Sequence, residues 1–195
     1  MAGCSVTGSG SSSPSVSSTV STDPSQTLSF PFELDATPYM ASPCDVLSPE
    51  LLESRGYPAD GKELEETGPG GQGLVDLTDP SCSWGAENAT HAQVVTVALS
   101  DHASEGIEAA WERVRERHRS GVLQLWEELD VNGYPTAYYA LRDNRDRGDC
   151  AMMIAVSRSD LVTVSAGPYM NDPGQACSDV LDFVADSIGY LNEGA

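Results

Sequence analysis

The sequence predicts an α+β domain, an antiparallel sheet with helices packed on a face, stapled by disulfides. Three observations support this prediction. The predicted strands are grouped between helices, which is typical of α+β folds and not of alternating parallel units. Asn132-Gly133 separates two apolar-alternating segments and is the strongest short signal for a β-hairpin. The four cysteines after residue 37 form an even set that can pair.

Residues 1–37 are predicted to be a tether that precedes the domain. Of the 25 residues from Ser5 to Ser29, 15 are Ser or Thr. Such a segment buries too little apolar surface to offset its ordering entropy, so we expect disorder. As a random coil, the stretch from Cys4 to Pro38 would span about 30–35 Å. One globular domain is then expected over residues 38–195.

The domain is predicted to begin with a short helix. Ser48 can cap it, Pro49 suits its first position, and Gly56 ends it. The acidic, glycine-rich segment 56–73 is expected to be a surface loop. Two strands should follow, over residues 82–87 and 93–99.

A second helix is predicted next, with Ser104 as its cap. Its apolar side has helical spacing and consists of Ile107, Ala110, Trp111 and Val114. Two hairpins come after it, the first turning at Asn132-Gly133 and the second at Arg158-Ser159. Their strands are expected over residues 123–131, 134–141, 150–157 and 161–167.

The last predicted element is a long helix. Asp172 is its expected cap, and Pro173 is its first residue. One side of this helix is apolar and consists of Ala176, Cys177, Val180, Leu181, Val184, Ile188 and Leu191.

Two disulfides are expected, and three pairings of four cysteines are possible. We favour Cys44–Cys82 and Cys150–Cys177, because each pair joins sequence neighbours across one helix–strand unit. Loops of this size stabilise a fold by about 3–4 kcal/mol each in the chain-entropy treatment. Disulfides of this kind indicate an oxidising compartment.

Neither a metal ion nor a cofactor is predicted. The cysteines lack Cys-x-x-Cys spacing, and the histidines are scattered over His91, His102 and His118. The loop 143–149 contains acidic residues, but they do not fall at the ligand positions of a calcium-binding loop, and two arginines lie among them. A self-neutralising surface loop is the favoured interpretation.

Cys4 follows Ala2-Gly3, which is the end of a bacterial lipoprotein signal. Lipid attached to this cysteine would hold the protein at the outer face of the cell membrane. Only Met1 precedes Ala2, so we expect that the apolar part of the signal has been removed. The alternative is a cytosolic protein with a chance cysteine near its start.

Several short motifs follow one another along the chain. They are Pro43-Cys44 with Leu47, Cys82-x-Trp84, Gly133-x-Pro-x-Ala137, Cys150, and Asp172-Pro173 with Cys177. Together with the Ser/Thr tail, they resemble the actinobacterial lipoprotein family called domain of unknown function 3558, over residues 38 to 191. The resemblance implies an exported, lipid-anchored, disulfide-bonded domain. It implies no activity and no catalytic residues.

The charge of the chain excludes some partners. Thirty acidic residues against ten basic ones give a net charge of −20 at pH 7. This argues against nucleic acid and against electrostatic docking on anionic lipid. There is also no run of 18 apolar residues that could span a membrane.

The candidate binding residues are a group of basic side chains on the second helix and one aromatic residue. They are Arg113, Arg115, Arg117, Arg119 and Trp126. The arginines could dock an acidic partner or an anionic wall polymer. The alternative is a solvated helix end in which Glu112 and Glu116 neutralise them. Trp126 is expected either to be exposed or to lie under a helix.

No catalytic constellation is found, and two functions are compatible with the sequence. The first is a non-catalytic, surface-tethered domain that binds an envelope protein or a cell-wall component, which predicts an exposed apolar or charged patch. The second is a carrier or sensor of a small hydrophobic ligand, which predicts an apolar cavity of about 300–1,000 Å³ between sheet and helices. An unrecognised hydrolase is the third alternative.

Overall fold

The computed structural model describes residues 16–17, 27–64, 79–86 and 93–193. Within these ranges the chain forms an eight-stranded antiparallel sheet with helices packed on it. The predicted α+β, disulfide-stapled fold is confirmed. Cys4, His91 and most of the Ser/Thr segment lie outside the described residues, and so do the predictions made for them.

The strands pair in the order β1-β5-β6-β7-β8-β4-β3-β2 across the sheet. In chain order they are β1 (Val16–Ser17), β2 (Lys62–Glu63), β3 (Ser81–Gly85), β4 (Val94–Asp101), β5 (Leu125–Val131), β6 (Tyr134–Ala140), β7 (Cys150–Ala155) and β8 (Asp160–Gly167). Strand β2 lies inside the segment that was expected to be a loop. Its two residues pair with Ser83 and Cys82 of β3.

Three of the four α-helices in the described ranges lie where the sequence predicts them. The four are α1 (Thr37–Met40), α2 (Pro49–Ser54), α3 (Ile107–Arg119) and α4 (Pro173–Glu193), and α1 was not predicted. The Ser48 hydroxyl accepts a hydrogen bond from the Leu51 amide at 3.2 Å, as expected of the cap of α2. The cap predicted for α3 is wrong. The amides of Glu105 and Gly106 donate to the His102 carbonyl, so residues 102–105 form a turn and Gly106 becomes the cap.

The predicted first hairpin is confirmed. Asn132 and Gly133 both have positive φ, 55° and 90°, which a type I′ turn requires. The register places Val131 opposite Tyr134 directly beside this turn. The Gly133 amide also donates to Asp130 Oδ1 at 2.7 Å, which fixes the turn to the end of β5.

Both faces of the sheet are packed. On one face Val180 and Val184 of α4 lie against Met152 and Ile154 of β7, and all four are fully buried. On the other face Ile107 and Trp111 of α3 pack on the sheet. Their partners include Ala137 of β6 and the residues of β7 that alternate with Met152 and Ile154, namely Met153 and Ala155. The alternation of side chains along each strand therefore serves two cores.

Two disulfides join the helical layer to the sheet. Cys44, in a 3₁₀ turn at Pro43–Val46, is bonded to Cys82 of β3. Cys150, the first residue of β7, is bonded to Cys177 in the second turn of α4. These are the two pairs favoured from the sequence.

The folded body begins before Pro38. Leu34 and Ala36 are fully buried in the core, and the Leu34 amide donates to the Val156 carbonyl at 3.0 Å. The boundary that was predicted at residue 38 therefore lies inside the packed structure. The apolar side chains of this segment explain the difference, because they gain more from burial than the polar residues before them.

Candidate functional site

A surface groove lies where the N-terminal segment crosses the end of the sheet. We call it the N-terminal groove. Its volume is about 430 Å³, and it is lined by Thr27, Leu28, Ser29, Phe30, Phe32, Glu33 and Arg158. Six of these seven residues belong to the segment that precedes α1, and Arg158 comes from the turn between β7 and β8.

The first hairpin holds this segment in place. The ring of Phe32 packs edge-on against the ring of Tyr134, with the centroids 6.2 Å apart. The Tyr134 hydroxyl donates to the Phe32 carbonyl at 3.3 Å. Pro31 lies so close to Gly133 that a Cβ on Gly133 would stand 2.6 Å from Pro31 Cγ. The turn and the groove are therefore built against each other.

The groove offers a mixed surface, with three apolar side chains, polar groups and one charge of each sign. Leu28 and Phe30 are half-buried against the core cluster under α3. Phe32 is 50% exposed even though its position is fixed. Arg158 Nε donates to Glu33 Oε1 at 2.8 Å, and both side chains are largely exposed. An extended segment with apolar and charged side chains would match these groups.

The candidate arginines of α3 are bound to carboxylates of this chain. Arg115 donates to both oxygens of Glu128 at 2.6 Å, which raises the pKa of its guanidinium. Arg113 is paired with Glu105. Arg119 is paired with Glu112 and Glu116.

Arg117 lies in the last turn of α3, and its backbone carbonyl accepts hydrogen bonds from the amides of Val122 and Leu123. Since Arg113, Arg115 and Arg119 are neutralised within the chain, the arrangement fits the solvated helix end better than a docking surface.

Trp126 lies partly under α3. Its ring meets that of Trp111 edge to face at 5.2 Å, and its indole N–H donates to Glu128 Oε1 at 2.7 Å. Burial opposes ionisation of Glu128, but the hydrogen bonds from Arg115 and Trp126 outweigh it and lower the pKa of this carboxyl. Trp126, Glu128 and Arg115 thus form one packed polar group.

The two histidines that the structure describes, His102 and His118, are not brought together. His102 Nδ1 lies 3.1 Å from Glu105 Oε1, ahead of α3, and His118 Nδ1 lies 3.0 Å from the Leu123 carbonyl at the other end of that helix. Across the described ranges no group of three or more His, Cys, Asp or Glu side chains is arranged to hold a metal ion.

An acidic side chain of the loop 143–149, which was considered as a calcium site, is paired with an arginine of the same loop. Arg145 binds Asp143 at 2.7 Å and Glu127 of β5 at 2.9 Å. Both carboxylates accept hydrogen bonds from the same guanidinium, and the hydrogen bond from Arg145 lowers the pKa of the Asp143 carboxyl.

Sequence analysis missed a buried polar network between α2 and α4. Asp179 accepts hydrogen bonds from the Tyr169 hydroxyl at 2.9 Å and from Gln175 Nε2 at 2.5 Å, and it pairs with Arg55 at 3.2 Å. The Tyr57 and Tyr169 hydroxyls are hydrogen-bonded to each other, and burial raises the pKa of both phenols. One feature of the sequence indicates this network: Asp179 is a charged residue within the largely apolar, buried side of α4.

The groove was missed for a different reason. Leu28, Phe30 and Phe32 follow a Ser/Thr-rich stretch, and the composition of that stretch dominated the prediction. Three large apolar residues within five positions were the available signal.

The helices of the described segments include none that is both long and apolar enough to cross a membrane. A family model described as "Protein of unknown function (DUF3558)" matches residues 1–190 of the chain. No curated protein and no solved structure matches it.

Proposed function

Because the chain belongs to the DUF3558 family, whose description assigns no activity, we propose a function from the geometry of its surface: it is a non-catalytic binding domain. A lipid on Cys4 holds the domain at the outer face of the cell membrane, and the N-terminal groove binds an envelope protein. Disulfides, which persist in oxidising compartments outside the cytosol, support this location.

The observation that carries the proposal is the exposure of Phe32. Half of this side chain is in contact with water, although its ring and its carbonyl are both held by Tyr134. A fixed aromatic side chain loses little conformational entropy when a partner covers it, so it contributes more to affinity than a mobile one. Phe30 and Leu28 extend the apolar surface on one side of it.

The charge of the chain supports a protein with basic residues as the partner. With a net charge of −20, the molecule attracts positively charged segments and repels anionic wall polymers. At the groove itself the carboxylate of Glu33 is paired with Arg158, so the attraction comes from the net charge of the whole chain. We therefore place an extended segment with apolar and basic side chains in the groove.

Packing favours this function over the carrier hypothesis. The space between the sheet and α4 is filled by Val180, Val184, Met152 and Ile154, none of which has exposed surface. This is the layer in which a carrier of a hydrophobic ligand would need room. The groove lies outside that layer, on the surface.

Photo-crosslinking in intact cells tests the proposal. A benzophenone amino acid is placed at Phe32 in one variant and at Val122 in the other. Val122 is the matched control, since it is 49% exposed and lies after α3, away from the groove. We expect a protein-sized adduct from position 32 and none from position 122, with the crosslinked peptide carrying Lys or Arg.

Two results would count against the proposal. Equal adducts from both positions would mean that the groove has no special role. A small-mass adduct at position 32 would instead support the carrier hypothesis. A second comparison tests the charge argument: Glu33→Gln should lower the adduct yield, whereas Glu50→Gln at an exposed position of α2 should leave it unchanged.

A further inference from the structure

We infer that the N-terminal groove is held toward the membrane, so that its partner is the membrane-proximal, extracytoplasmic part of an integral membrane protein. This inference rests on the proposed function, in which Cys4 carries the lipid. It adds the direction in which the groove faces and the class of protein that can reach it.

The first observation is that the predicted tether is fastened to the sheet. Strand β1 pairs with β5, with Val16 opposite Val131 and Ser17 opposite Asp130. Val16, which we call the exit point, is therefore the residue nearest to Cys4 that the structure describes, and it lies beside the last residues of β5. It precedes residue 38, where the sequence alone would place the start of the domain.

The second observation is that this exit point adjoins the groove. Val131 pairs with Tyr134 across the hairpin, and Tyr134 contacts Phe32 through both its ring and its hydroxyl. Three consecutive contacts thus connect Val16 to the exposed ring of Phe32. The C-terminal end of α3 and the first residue of β5 lie at the opposite end of the sheet.

The third observation is the length of the remaining tether. Eleven residues lie between Cys4 and Val16, so twelve Cα-to-Cα steps separate the two. As the random coil that its composition predicts, this segment spans about 17–21 Å on average, and fully extended it reaches about 40–43 Å. A folded chain of this size has a radius of gyration of about 15 Å, so its diameter is comparable with the longest reach of the tether. The average span of the tether is only about half of that diameter, so the end that carries the exit point lies nearest the lipid on average.

Charge decides between a lipid surface and a protein as the occupant of the groove. A molecule with a net charge of −20 is repelled by an anionic leaflet, and Asp35 adds a carboxylate beside the groove. A basic segment of a neighbouring membrane protein is attracted by the same charges. We therefore assign the groove to a protein and not to lipid.

The orientation can be measured without any partner. The full chain, lipidated at Cys4, is placed in phosphatidylcholine vesicles that contain a nickel-chelating lipid. A spin label is attached through Phe32→Cys in one sample and through Val122→Cys in the other. Nickel at the bilayer surface should enhance the relaxation of the label at position 32 several-fold more than that of the label at position 122. Equal enhancement, or the reverse order, would overturn the inference.

A second variant tests whether the β1 pairing sets the orientation. Proline at both Val16 and Ser17 removes both backbone amides of β1 and with them any hydrogen bond that they donate to β5. We expect the difference between the two labels to shrink to near equality, whereas Val16→Thr with Ser17→Thr should preserve it. A difference that survives the proline variant would refute the role of β1. Crosslinking that persists while the labels show no orientation would overturn this inference and leave the proposed function standing.

Discussion

Phe32 and Tyr134 pack edge to face with their ring centroids 6.2 Å apart, and this contact joins the N-terminal segment to the tip of the first hairpin. Edge-to-face pairs of this kind add about 0.5–1.5 kcal/mol beyond the burial of their surface. The contact also explains how a half-exposed ring keeps one position. The groove, the turn at Asn132-Gly133 and the start of the chain are thereby parts of one structure.

The close approach of Pro31 to Gly133 predicts that replacement of Gly133 by alanine lowers stability more than the same replacement of Gly121. Gly133→Ala must adopt a positive φ of 90° and also displace Pro31. Gly121→Ala must adopt a positive φ of 77° in open space. The shared conformational cost is about 1–2 kcal/mol. In urea unfolding, we expect Gly133→Ala to lose about 1–3 kcal/mol more than Gly121→Ala. Equal losses would mean that Pro31 yields freely and that the segment is weakly held.

The network around Asp179 predicts a large loss on removing one carboxylate. Asp179→Asn weakens the pairing with Arg55 inside the fold and disturbs the hydrogen bonds from Tyr169 and Gln175. We expect the free energy of unfolding to fall by about 2–4 kcal/mol. Asp182→Asn is the control, because Asp182 also binds Arg55 but its side chain is 24% exposed, against 3% for Asp179. It should cost about 1 kcal/mol or less. A reversed order would contradict the assignment of Asp179 as the centre of the network.

The two disulfides should contribute similar stability. Their sequence separations are 27 and 38 residues, and the entropy of closing a loop grows only slowly with its length. Replacing either pair by alanines should lower the free energy of unfolding by about 3–4 kcal/mol in each case. Chemical denaturation of Cys44→Ala with Cys82→Ala and of Cys150→Ala with Cys177→Ala measures this. A loss below about 1 kcal/mol for one pair would show that its closed loop is already ordered in the unfolded chain.

The raised pKa of the Asp160 carboxyl predicts how the free energy of unfolding changes with pH. Burial raises the pKa of its carboxyl, which lies opposite Asp101 across the β4–β8 pairing and accepts a hydrogen bond from Ser157 at 2.9 Å. The folded chain therefore takes up a proton at a higher pH than the unfolded chain, whose Asp has a pKa of about 3.9. The contribution of Asp160 to the free energy of unfolding rises as the pH falls from 7 through the folded-state pKa, and it is complete below about 3.9.

Asp160→Asn isolates this contribution. Asparagine keeps an oxygen that can accept from Ser157 but removes the charge, so the variant should lose part of the increase on acidification. The difference in the free energy of unfolding, variant minus native chain, should therefore be larger at pH 7 than at pH 4. Asp45→Asn, at an exposed position, is the matched control for the loss of one carboxylate. Parallel profiles of the native chain and Asp160→Asn between pH 4 and pH 7 would refute the assignment.

Local sequence signals explain most of the fold. Caps, turns and periodicity are properties of a few neighbouring residues, so Ser48 and Asn132-Gly133 could be interpreted without knowledge of the tertiary structure. The partner of Arg115 could not be predicted in this way, because Glu128 belongs to a different element and meets it only in the folded chain. The neutralisation of the arginines is therefore a tertiary effect. The groove depends on the same kind of information, since Arg158 lies 125 residues from Glu33.

The most direct test of the account is a hydrogen–deuterium exchange comparison of the lipidated chain in membranes from its own cell envelope and in phosphatidylcholine vesicles. The account predicts that the amides of residues 28–30 and 32–33 exchange more slowly in the envelope membranes, because a protein segment covers the N-terminal groove there. The amides of α3 should exchange equally in both. Protection of α3 with no change over residues 28–33 would contradict the account. It would indicate that the partner binds the arginines of α3 and not the N-terminal groove.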